Sequence, residues 1–222
     1  MFAHRPLALY KSISLVTIFL LFSSFLLFLL VSLSLTIIKP IYLFSLRSTA
    51  PAPESAPLSL ATELRFGIWG FCAYNALGDP PLCVGPSLGY TVPSYVAADV
   101  PGLTQPIIDV VQHVLLVILI LHPITAAVSL LPLFFALFLA SHPLTITALV
   151  LSVITALLAS AALAIDIALV LVARSELKTL DSIHFAFDFG PAFWMILVAT
   201  VLAWMALIAL SARACYCLGV RR

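Results

Sequence analysis

Four long apolar runs, separated by polar segments of very unequal length, organise the chain. They extend from about Ile13 to Ile38, Val110 to Ala140, Leu144 to Ala173, and Pro191 to Ala212. Each exceeds the roughly 20 helical residues that cross a hydrocarbon core of about 30 Å, and the second and third have length to spare for tilt or protrusion. Thr104 is a potential N-cap with Pro106 in the first turn behind it, so the second helix starts ahead of its apolar part and continues directly from the loop. The pattern predicts membrane helices over residues 13–38, 107–140, 144–173 and 191–212. Between them lie a long loop (39–106), a tight turn (141–143) and a shorter loop (174–190), with tails over 1–12 and 213–222. The first run follows Arg5 and Lys11, as a signal peptide would. Its length of about 26 residues far exceeds a signal core of roughly 7–15, and no A-x-A site follows, so it reads as a retained helix.

The long loop carries the remaining structure. Two extended runs, Ile41–Leu46 and Leu64–Trp69, flank an Ala/Pro/Ser-rich linker over residues 48–60. That arrangement predicts a small antiparallel sheet joined by a flexible segment. Asn75 is the only asparagine and opens no glycosylation sequon, while the linker's Ser and Thr are candidates for O-glycans. Cys72 and Cys83 have ten residues between them and pair only in an oxidising compartment. Closing such a loop contributes on the order of 3 kcal/mol by chain entropy. The expected fold is therefore an all-α membrane protein: a four-helix bundle with a small, disulfide-stapled β-sheet in the first extracellular loop.

Composition confirms the membrane class, with 64% hydrophobic and 9% charged residues and a mean hydropathy of +1.23, against about 25% charged in soluble domains. A net charge of +1, from ten basic and nine acidic residues, indicates no nucleic-acid-binding surface. Charge also bears on topology. Arg5, Lys11, Arg213, Arg221 and Arg222 sit in the two short tails, and the other five basic residues are spread over the loops. Long loops count little in the positive-inside rule, so cytoplasmic termini are favoured, with Cys72 and Cys83 outside. Cys215 and Cys217 then lie just inside the membrane as S-palmitoylation candidates or as plain reduced thiols.

Small residues recur every fourth position on the third helix: Ala148, Ser152, Ala156, Ser160, Ala164 and Ala168. In lipid, small residues permit close helix approach, so this reads as a packing seam, with Ala199 and Ala203 as a shorter one on the fourth helix. Pro123 and Pro132 invite kinks in the second. Asp166 is intramembrane and by default a functional candidate. It lies nearly opposite the small seam and is expected to face another neighbour. His122 reaches a similar depth if the second helix protrudes, making an Asp166–His122 contact one hypothesis. Hydration of Asp166 near the headgroups, or pairing elsewhere in the bundle, is the other. No paired carboxylates, metal-ligand spacing, phosphate loop or nucleophile motif appears, so no catalytic, cofactor or metal residue is assigned. Asp109 and His113 read as a helix-surface pair.

Gly67-Ile68-Trp69-Gly70-Phe71-Cys72, then Cys83, then Ser87-Leu88-Gly89-Tyr90 resembles the outer loop of the fungal PalI-type membrane proteins. These belong to a wider group, including the eisosome tetraspanners, that is similar to claudins in layout. Leu121-His122-Pro123-Ile124, Ile165-Asp166-Ile167 and Val172-Ala173-Arg174 also look PalI-like, and the resemblance spans about Ile13 to Cys217. It implies a non-catalytic plasma-membrane tetraspan protein that assists a seven-helix ambient-pH receptor, or works with eisosome components to organise membrane domains or cell-wall deposition. Two features depart from the pattern. Claudins carry another tryptophan upstream in the loop, whereas Trp194 and Trp204 are both in the fourth helix here. Many PalI-type proteins also continue into a long polar tail, so a role depending on such a tail is not carried over to a sequence ending at Arg222. The alternative function is a small transporter or channel using Asp166.

Overall fold

The computed structural model describes residues 5–35, 37–48, 61–75, 81–86, 105–137, 142–179 and 185–214. The linker beyond Ser48, Gly89, Tyr90, the Thr104 cap, the side chains of Asp109 and His113, and Cys215 and Cys217 lie outside them. In chain order the elements are α1 (Arg5–Ser32), β1 (Phe44–Ser48), β2 (Ala61–Phe66), β3 (Phe71–Asn75), β4 (Leu82–Val84), α2 (Gln105–Leu137), α3 (His142–Thr179), β5 (Phe185–Phe189) and α4 (Pro191–Ala214). Four stretches are long and apolar enough to span a membrane: Ile13–Ser32, Leu119–Leu137, Pro143–Ser175 and Pro191–Ala212. The protein is a multi-pass membrane protein.

Two compact units share these helices. One gathers Met1–Leu29, Pro123–Leu163 and Met195–Arg222; the other gathers Leu30–His122 and Ala164–Trp194. Within the first, the helices meet in two apolar clusters. Leu21, Leu133, Ala136, Ala148, Ala206 and Leu210 form one, and Phe28, Ala126, Ala159 and Ala199 the other. Each cluster takes residues from all four helices, and small side chains dominate because close approach replaces hydrophobic drive in lipid. Ser24 adds a polar tie, its hydroxyl donating to the Ala199 carbonyl at 2.9 Å. Thr155 and Thr200 instead bond within their own helices, to Leu151 O and Ile196 O.

The small-residue seam of α3 is buried over only part of its expected length. Ala148, Ser152 and Ala156 are buried, Ser160 is half-buried, and Ala164 and Ala168 are exposed. A helix turns about 100° per residue, so a strict four-residue repeat drifts about 40° per step and leaves the packed face. The face that stays buried runs through Ala148, Ser152, Thr155, Ala159, Ala162, Asp166 and Val170. Asp166 thus shares the face of Ala148 and lies opposite only its near neighbours Ala164 and Ala168. On α4 the buried residues Ala192, Ile196, Ala199, Ala203, Ala206 and Leu210 hold their face throughout, because their spacing alternates between three and four.

The second unit is built on a five-stranded antiparallel sheet of order β4-β3-β2-β1-β5. Sequence patterning anticipated two strand runs in the long loop; the sheet adds β3 and β4 from that loop and β5 from the other. Register places Arg47, Glu63, Arg65, Tyr74 and Asp188 on one face, and Phe44, Leu46, Leu64, Phe66, Phe71 and Phe187 on the other. Phe44 stacks on Phe187 at 5.6 Å, and Phe66 lies 6.1 Å from Phe71. The arrangement is consistent with a claudin-like layout.

The first apolar run is helical only to Ser32, six residues short of the expected Ile38. Ser34 N–H donates to Val31 O at 3.0 Å, and buried Leu35 takes a left-handed φ of 68°, which turns the chain out of the helix. At its other boundary, α3 continues past Ala173 to Thr179.

Gly67 sets how closely the sheet approaches this helix end, and Gly70 how closely the turn approaches the end of β4. A Cβ on Gly67 would collide with the Leu35 side chain, and one on Gly70 with the Val84 carbonyl. Replacing either with Ala is expected to cost about 1–3 kcal/mol through overpacking, read as a lower unfolding midpoint in detergent. An unchanged midpoint would show that the turn can shift to make room.

Candidate functional site

The Gly67-Ile68-Trp69-Gly70 segment is the four-residue turn of the β2–β3 hairpin, closed by the Phe66–Phe71 pair and by Gly67 N–H donating to Gly70 O at 2.9 Å. Two of its groups satisfy the end of α1. The Trp69 indole N–H donates to Ser32 O at 2.6 Å, and Ile68 N–H donates to the Ser34 hydroxyl at 3.1 Å. The last carbonyls of a helix have no intrahelical partner, so the indole acts as a cap delivered from the sheet. Ile68 is fully buried beside it. Cys72 on β3 and Cys83 on β4 are direct cross-strand partners and form a disulfide with a Cα–Cα separation of 4.1 Å. The bond thereby fastens the short edge strand β4 to the turn-bearing strand.

The sheet also caps α4. Ala192 N–H, one of the unpaired donors of the first turn, reaches Tyr42 O at 3.1 Å, and Gly190 N–H reaches Leu43 O at 2.7 Å. Arg174, at the far end of the α3 span, binds β5 twice: Nε donates to Phe187 O at 2.8 Å and Nη2 to Asp188 Oδ1 at 2.7 Å. From the sequence, Arg174 reads only as a basic residue in a family-like run. Its position directly after an apolar span and before the alternating Phe185-Ala186-Phe187-Asp188-Phe189 was the signal available.

On the polar face, Glu63 accepts from Arg65 at 2.9 Å and from Arg47 at 3.3 Å. The Arg65 guanidinium lies 4.8 Å from the Tyr42 ring centroid and 4.3 Å from that of Tyr74. Burial alone would raise the Glu63 carboxyl; the hydrogen bonds and charges of Arg65 and Arg47 outweigh it and hold Glu63 below the usual carboxylate range. Hydrogen bonding to Glu63 in turn raises Arg65, against the opposing effect of burial.

Between α2 and α3, His122 Nε2 lies 3.2 Å from Asp166 Oδ2, with side-chain exposures of 3% and 0%. The second oxygen of Asp166 has no hydrogen-bond partner among the described residues. A carboxylate at this depth is costly without a partner, so the imidazole fixes the two helices against each other where it meets the acid. Among the described residues, no group of three His, Cys, Asp or Glu side chains is placed to hold a metal ion.

The sequence matches the SUR7/PalI family over residues 13–215. The chain belongs to this family. No curated protein matches it. In this SUR7/PalI protein, the described residues singled out for the loop motif and for intramembrane polarity separate into two groups. Gly67, Trp69, Gly70, Cys72 and Cys83 converge at the end of α1, whereas His122 and Asp166 meet between α2 and α3. Nothing local distinguishes the partners Ser32 and Ser34 from the other serines of the first apolar run.

Two measurements follow. In a double-mutant cycle of His122→Ala and Asp166→Ala, a coupling of about 0.5–3 kcal/mol is expected, so the double variant loses less than the sum; additive losses would mean that the two side chains act separately. For Glu63, whose folded pKa is lowered, the stabilisation is complete above the unfolded carboxylate pKa and is lost as pH falls through the folded value. Thermal unfolding of the wild type should therefore weaken on acidification through that window, and Glu63→Gln should flatten the dependence. An equally steep acid profile in Glu63→Gln would assign the sensitivity to other groups.

Proposed function

We propose that the protein is a non-catalytic plasma-membrane tetraspan with cytoplasmic termini, acting as an accessory or scaffold in ambient-pH signalling or in membrane-domain and cell-wall organisation. The observation that carries this reading is the attachment of the sheet to the helix ends of its own unit. Trp69 holds it to α1, Tyr42 and Leu43 hold it to α4, and Arg174 holds it to α3. A sheet tied to three helix ends presents a fixed surface beyond the bilayer, and Arg47 and Asp188 stand exposed on it with side-chain exposures of 55% and 51%. Family membership supports the same reading, with a seven-helix pH receptor or eisosome components as the expected partners.

A buried intramembrane carboxylate favours a second reading, a small transporter or channel using Asp166. Pairing with His122 gives that carboxylate a structural role, which places transport second.

Proximity labelling in the native cell separates the two. Cys72→Ser, which frees β4, and Arg47→Gln, which removes an exposed charge together with its pair to Glu63, are both expected to lose a shared subset of neighbours. An unchanged set in both variants would remove the sheet from partner recognition. Asp166-dependent ion flux in reconstituted vesicles would establish transport instead.

A further inference from the structure

A groove of about 400 Å³ opens beside the end of α1. Its walls come from the segment that follows the helix (Leu35, Ile37, Lys39), from the hairpin turn and β3 (Trp69, Phe71), and from β4 (Val84) and the chain after it, with the disulfide between. The volume lies within the roughly 300–1,000 Å³ of sites that hold a small ligand. Its lining is apolar apart from Lys39, which is exposed and makes no ion pair among the described residues. Ile37, on the same wall, is 67% exposed.

We propose that this groove binds one acyl chain of an anionic phospholipid, with Lys39 holding the phosphate-bearing headgroup. Three observations converge on that occupant. Trp69 is hydrogen-bonded to Ser32 O, the last residue of the α1 span, which sets the groove wall at the level where lipid chains give way to headgroups. An apolar trough at that level is open to a chain that needs no transfer through water. Lys39 stands seven residues beyond Ser32 in the chain and lines the same groove as Leu35 and Ile37, so one exposed cation adjoins an apolar trough, as a charged headgroup adjoins its chain in a phospholipid. A lysine beyond a membrane helix commonly just extends into the headgroup layer; here it shares its wall with the apolar trough, and that adds a chain-binding component to the charge.

The proposal is tested on the full chain in nanodiscs of phosphatidylcholine doped with diazirine-bearing phosphatidylserine or phosphatidylcholine, with crosslinks mapped to peptides. Wild type is expected to crosslink within residues 35–39 and 69–72, several-fold more with the serine lipid. Lys39→Gln should abolish that preference while keeping the choline signal, and Ile37→Asp should lower both. Glycerophosphoserine, the headgroup without chains, should compete poorly. Crosslinks confined to lipid-facing helix residues, an undiminished serine preference in Lys39→Gln, or equal competition by the chain-free headgroup would each overturn it. So would Lys39 amines that resist acylation in lipid-free detergent, because the groove would then be covered by protein.

Discussion

Once α1 stops at Ser32, its last carbonyls need donors from outside the helix. The Trp69 indole supplies one, and the Ser34 hydroxyl takes a backbone N–H from the same turn in return. Much of the second unit follows from meeting that need. The turn must come close, which requires glycine opposite Leu35. It must be held at a fixed angle, which the β2–β3 hairpin and the Cys72–Cys83 bond provide. The tryptophan, the glycines and the cysteines of the signature are therefore parts of one connected turn at the helix end.

The same need explains what could be read in the sequence. The four spans follow from apolar length, and Cys72–Cys83 from spacing and compartment. Where α1 ends does not, because Leu33 to Ile38 are as apolar as the helix before them; its terminator lies 37 residues further on, at Trp69. Strand β5 had a local signature in its alternating phenylalanines, yet its partner β1 belongs to a different loop, and period alone cannot name a partner. The small seam of α3 was legible as small but not as a straight line. Its four-residue repeat departs from 3.6 residues per turn, so its later members rotate off the packed face while Asp166 rotates on. The Asp166–His122 contact followed from depth and chemistry, although the face assigned to Asp166 was the wrong one.

Inside the bundle, polar groups are placed sparingly and each has a geometric purpose. Ser24 ties α1 to the backbone of α4, and the indole of Trp204 donates to Ser160 on α3 at 3.1 Å. The His122–Asp166 pair joins α2 to α3. Small apolar contacts permit helices to slide or rotate past one another with little penalty; these few directional bonds favour one rotational setting for the three helix pairs they join.

Strand β1 sits between β2, its neighbour in the same loop, and β5, which is synthesised only after α2 and α3. Until then one edge of β1 stays open. It can be closed only if the two intervening helices have crossed the bilayer in opposite directions and returned the chain to the side where β1 waits. Completion of the sheet is thus a readout of correct insertion. A chain with one helix left out of the membrane would expose a bare strand edge, the kind of surface that recruits other chains, so biogenesis errors in this protein would announce themselves as aggregation outside the bilayer.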